Sequence, residues 1–147
     1  MPAAHTLETA ATSILRSMPE ALIFCDLEGI IRVWNGGAEK VFGFSAVEAV
    51  GQSLDLIIPE RMRKAHWDGF NAAVARGDVK PGRTSMITRS LHKSGDQIYV
   101  DMSFAMVKDA SGQMIGSMAV ARDATARYTE EKNLRKQLME LTAKAQA

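Results

Sequence analysis

Apolar positions change their period several times along the chain, and each change predicts a new element. Leu7, Ala10, Ala11, Ile14 and Leu15 share one stripe, so residues from about His5 to Ser17 predict a short helix closed by Pro19. Ala21–Asp26 and residues 30–34 are short apolar, β-rich runs. The turn sequence Asp26-Leu27-Glu28-Gly29 lies between them, which predicts a hairpin. Asn35 then stands where its side chain can accept a bond from the first free amides of a short helix over 36–43. Ser45-Ala46-Val47-Glu48 is a capping box for a second short helix that Gly51 stops, and residues 54–58 form a turn ended by Pro59.

Residues 60–75 predict the longest interior helix, with Met62, His66, Phe70, Ala73 and Val74 near one face and Gly77, Pro81 and Gly82 as breakers. Three strands follow, over 83–92, 97–108 and 113–121. The middle one alternates well, with Ile98, Val100, Met102, Phe104 and Met106 on one face. Lys93-Ser94-Gly95-Asp96 and Asp109-Ala110-Ser111-Gly112 are the hairpin turns between them. From Thr125 to Ala147 the chain is helical in character, with Leu134, Leu138, Leu141 and Ala145 forming a narrow a/d seam. Asp123 and Thr125 both read as N-caps of that tail. This order predicts an α+β fold, one five-stranded antiparallel sheet with the interior helices on one face and a helix at either end. No repeat interrupts it.

Composition narrows the function classes. The 147 residues suit one domain, and 18 basic against 17 acidic side chains leave a net charge of +1. That balance gives no reason to expect nucleic acid as a partner. No apolar window approaches the roughly eighteen residues of a membrane span, and the first residues lack a secretory pattern. The single cysteine, Cys25, fits a reducing compartment, so the cytoplasm is the expected location and the thiol is expected to be structural. Nine methionines suggest a deformable core or pocket. Catalysis is not expected: His5, His66 and His92 are scattered, Gly36-Gly37 matches no phosphate cradle, and local capping explains Asp26, Glu28 and Asp55.

The stretch from Val33-Trp34-Asn35-Gly36-Gly37-Ala38-Glu39 through Lys40-Val41-Phe42-Gly43-Phe44 to Gly51 resembles the N-terminal half of PAS sensory domains. Leu56-Ile57-Ile58-Pro59-Glu60, His92-Lys93-Ser94-Gly95 and Ala121-Arg122-Asp123-Ala124-Thr125 resemble the segments that follow. The similarity implies a cupped sheet around a small cavity, non-enzymatic, with flanking helices for homodimerisation and output to an unknown downstream protein or domain. On this reading residues 1–18 are an N-terminal flanking helix, 19–123 the PAS domain and 124–147 a signalling coiled-coil helix, with Asp123 at the junction and Thr125, Leu134, Leu138 and Leu141 on the helix as the dimer and signalling residues.

His66, six positions after Glu60, has a spacing similar to the haem-binding PAS domains of rhizobial oxygen-sensor kinases, where the matching histidine is the proximal iron ligand. On the residues alone it reads as a packed helix histidine; the resemblance implies haem as a candidate cofactor, with Phe70 and Met102 in the pocket. Arg61, Arg63 or Arg83 would pair with the propionates. Met86 stands where those sensors carry a distal arginine, and a thioether cannot donate a hydrogen bond. A shift of the loop by a residue or two puts Thr84 or Ser85 there instead. Gly36-Gly37-Ala38 replaces the cysteine that light-sensing relatives need, which excludes a covalent flavin adduct but not non-covalent flavin. A small organic ligand, or a ligand-free dimerisation module, is the alternative.

Overall fold

The computed structural model describes residues 6–78 and 85–146. Helix α1 (Leu7–Ser17) opens the chain, capped reciprocally by Thr6 and Thr9. Strands β1 (Ala21–Asp26) and β2 (Ile31–Trp34) form the expected hairpin. The short helices α2 (Gly36–Phe42) and α3 (Ala46–Ala49) follow, then a 3₁₀ turn (Leu54–Ile57) and helix α4 (Glu60–Arg76). Strands β3 (Met86–Leu91), β4 (Gln97–Lys108) and β5 (Met114–Asp123) complete the sheet, and α5 (Thr125–Gln146) ends the described chain. The strand order is β2-β1-β5-β4-β3, with every pairing antiparallel. Pairing β1 with β5 joins the start of the sheet to its end, so the interior helices between them must cross one face.

That face carries the core. Ala21, Ile23, Ile31, Val100, Met102 and Ala121 from the strands meet Trp34, Ala38, Phe42, Ile57 and Ile58. Burying each of the Ile, Val, Met and Phe side chains among them stabilises by about 1.5–3 kcal/mol relative to water.

Two sequence signals prove to carry longer-range roles than local capping. Asn35 does cap α2, accepting from the Ala38 amide at 2.9 Å. The same oxygen also accepts from the Leu22 amide at 2.8 Å, and Nδ2 donates to the carbonyls of Leu15 and Glu20. One buried amide thus ties α1, β1 and α2 together. Asp55 corrects the capping expectation: Ser53 caps the 3₁₀ turn, while Asp55 Oδ1 accepts from the Trp67 indole at 2.7 Å.

The tail corrects one assignment as well. Asp123 Oδ1 accepts the Thr125 amide at 2.9 Å, bracing the turn that leads into α5. Thr125 does not cap; its hydroxyl accepts from the Tyr99 amide of β4 at 3.0 Å, because the first turn of α5 lies against that strand. Tyr128 stacks on Tyr99 with ring centroids 3.8 Å apart, and Arg127 reaches Asp101 at 3.3 Å. Beyond that turn α5 is exposed, including Leu134, Leu138 and Leu141.

Candidate functional site

Between the sheet and α4 lies a cavity of about 640 Å³. Its floor comes from alternate positions of the strands: Ile23 and Cys25 of β1, Met102, Phe104 and Met106 of β4, Ser117 and Ala119 of β5. Alternation puts such residues on one face of a pleated sheet. Helix α4 supplies Met62, His66, Phe70 and Ala73 on the opposite wall, spaced three and four apart as one helix face requires. Strand β3 closes the side with Met86, Thr88 and Ser90, the last held by its hydroxyl on the Ile57 carbonyl at 2.7 Å.

His66 is half-buried, and burial pushes its pKa below the ordinary imidazole value, with Asp55 opposing weakly. Its ring makes an edge contact with Trp67, centroids 4.7 Å apart. Its Nδ1 is buried without a hydrogen-bond partner. Leaving such a group unmade costs about 1–3 kcal/mol, which an occupant of the cavity would recover.

The cavity's electrostatics are one-sided. Arg61, Arg76 and Arg89 line it, and no carboxylate does among the described residues. Arg61 also donates to Gln97 at 3.3 Å.

The structure brings His66, Phe70, Met86 and Met102 to one cavity, and Ser85 with them. It does not bring Arg63 there: its Nε donates to the Ile58 carbonyl at 3.1 Å and Nη2 to that of Asp55 at 3.4 Å, tying α4 to the 3₁₀ turn. Arg83 and Thr84 lie outside the described residues, as does His5. Sequence reasoning missed Arg76 and Arg89, which carry no motif. It also missed Cys25 and Met106 as lining residues, although the alternation of β4 announces Met106. The Cys25 thiol bonds Ser117 Oγ at 3.2 Å, and burial raises its pKa, which suits an unreactive thiol.

An antiparallel sheet ordered β2-β1-β5-β4-β3, with short helices over one face and an apolar hollow beneath them, defines the fold of a sensory module. The PAS fold model matches residues 12–124, and the chain belongs to the PAS family. Such domains are as a rule sensory modules rather than catalysts. The chain is 42% identical over 64 residues to Sensor protein FixL of Bradyrhizobium diazoefficiens, across 44% of this chain. It is 25% identical over 105 residues to Oxygen sensor protein DosP of Escherichia coli K12, across 71% of this chain. It spans 13% of the length of either relative. Among solved structures, a PAS domain from Colwellia psychrerythraea aligns with a TM-score of 0.72 at 23% identity, covering 82% of this chain and 99% of that one. An RNA-binding Light-Oxygen-Voltage receptor aligns at 0.72 and 17% identity, covering all of this chain and 42% of that one. At those identities the structural matches speak for the fold alone.

Proposed function

We propose that this chain is the sensing part of a signalling protein, that its cavity holds haem through His66, and that occupancy is relayed through α5. The observation that carries the reading is His66 itself: an imidazole kept neutral by burial, on the wall of an apolar cavity, with a buried nitrogen that no protein group satisfies. A neutral imidazole on an apolar wall is a good iron ligand. The resemblance to haem-binding oxygen-sensor PAS domains supports the same assignment.

The residues present fit the cofactor. His66 would hold the iron, Phe70, Met86 and Met102 would pack against the macrocycle, and Arg61, Arg76 and Arg89 would face its carboxylates. Haem, when bound, supplies gas binding or a one-electron change at the iron. Everything else is done by the chain. Met86 offers no hydrogen-bond donor to a bound gas, so the pocket favours an apolar diatomic or a redox signal over stabilised oxygen.

Output follows from connectivity. Strand β5 runs directly into Asp123 and Thr125, and the Ala124 amide and the Thr125 hydroxyl both bond Tyr99 of β4. Strain entering the cavity walls at Met102 therefore reaches the cap and first turn of α5 through β4. A ligand shifts this equilibrium only by its difference in affinity for the two states. The exposed leucine seam of α5 favours a parallel homodimer, with a partner protein or domain in the cytoplasm, not nucleic acid, reading its state.

The test is spectroscopic. Protein made with haem supplied is expected to show a Soret band, and His66→Ala, shown by circular dichroism to keep its fold, is expected to lose it. A colourless wild-type protein under those conditions ends the haem assignment and leaves a small organic ligand, or a ligand-free dimerisation module, as the reading.

A further inference from the structure

The cavity gathers an uncommon set of soft donor atoms. Met62 and His66 sit four residues apart on α4, hence on one helix face with Cβ atoms about 5–6 Å apart. Across from them, Met86 of β3 and Met102 of β4 are directly paired in the antiparallel register. Directly opposed residues have Cβ atoms about 4.5–5.5 Å apart and point to the same side of the sheet. Both pairs line the same cavity. One helix pair therefore faces one strand pair, with three thioethers and an imidazole turned toward a common space.

We infer that Met62, Met86, Met102 and His66 form a binding site for a soft monovalent metal ion, Cu(I). Thioethers select soft ions and imidazole accepts copper, whereas Mg²⁺, Ca²⁺ and Mn²⁺ require carboxylate or carbonyl oxygen. The described lining contains no carboxylate, so hard cations find no anionic ligand there, and the apolar walls favour an ion of low charge. Methionine's three rotatable bonds let each sulfur settle around an ion without moving the backbone. The imidazole's unsatisfied nitrogen is the group that an ion would employ. This goes beyond the haem assignment and uses the same His66, so the two occupants exclude one another.

The experiment uses the full chain purified without haem, under ascorbate, competing for Cu(I) against its coloured bicinchoninate complex. Wild type is expected to bleach the probe, and the double variant Met86→Leu with Met102→Leu to bind at least about tenfold more weakly. Leucine keeps the volume and apolar character of methionine, so the fold is expected to survive, checked by circular dichroism. A readout on unaltered protein stands beside it: Ag(I) should shift the methyl carbon signals of Met62, Met86 and Met102 and leave Met118, outside the cavity lining, in place. An untouched probe, equal competition by the leucine variant, or binding abolished by Cys25→Ser alone would overturn the inference. The haem assignment fails separately: a Soret band without Cu(I) uptake sinks only the copper site, and Cu(I) uptake without a Soret band sinks only the haem.

Discussion

Histidine 66 is where residue-scale physics is most visible, because burial, a ring neighbour and distant charges act on one imidazole. Asp55 of the 3₁₀ turn pulls its pKa up, but burial dominates and depresses it below 6.5. The cavity it lines also carries Arg61 and Arg76 of its own helix, Arg89 of β3 and the Cys25 thiol, none of which stabilises an added positive charge. A depressed folded-state value means that the unfolded chain binds the proton more readily. The contribution is therefore fully present above pH 6.5 and is lost as the pH falls through the folded-state value. Wild type should lose melting temperature on acidification below 6.5 faster than His66→Phe does. Parallel curves for the two would show that the imidazole is not the group responsible. At this scale the sequence was legible where chemistry is local, as in the Ser45 and Glu48 capping box. It was not legible where one side chain serves distant segments. Nothing near Asp55 in the sequence points to Trp67, twelve residues on, because that bond exists only once α4 folds back over the turn.

At the scale of elements, boundaries set by turns and breakers match closely. Strand β1 runs as its apolar run predicts and β4 as its alternation predicts, and α4 stops at Gly77 in a left-handed conformation. The β1–β2 turn shows what an element boundary can also do. Gly29 has φ +79, and a Cβ there would run into the Trp67 ring, so the turn is the seat on which α4 rests. Trp67 then passes its position to His66 and Phe70 through edge-on ring contacts. Gly29→Ala should cost about 1–3 kcal/mol, from backbone strain and the displaced ring together. Urea denaturation measures that loss, and tryptophan emission should shift because the indole moves. Unchanged stability and emission would mean that α4 is not seated there. The N-terminal helix is the opposite case, with no fully buried residue: Ala10, Ala11 and Leu15 are half-buried where α1 meets α2, while Leu7 and Ile14 of the same stripe stay exposed.

At the scale of the whole molecule, α5 is the element that leaves its apolar positions exposed. Leu134, Leu138 and Leu141 are 56%, 65% and 64% exposed, so among the described residues the seam read from the sequence meets nothing beyond the first turn. A helix of this length with so narrow an apolar stripe gains its stability from packing against another helix. Sedimentation of the intact chain should give a dimer, and a chain ending after Asp123 a monomer. Equal monomer masses would refute dimerisation through the tail. The Tyr99–Tyr128 stack and the Thr125 hydroxyl fasten only the base of the helix, which leaves the remainder free to pair.

Turns, the Ser45–Glu48 capping box and the alternation of β4 were determined by the sequence alone, because each depends on residues no more than a few positions apart and on backbone rules that act within that span. The cavity's membership was decided by tertiary structure. Cys25, His66, Met86, Met102 and Arg89 come from β1, α4, β3 and β4, and only the order β2-β1-β5-β4-β3 brings them around one space. That order rests on long-range strand pairing, whose energy is shared over the whole sheet and written in no single stretch of the chain.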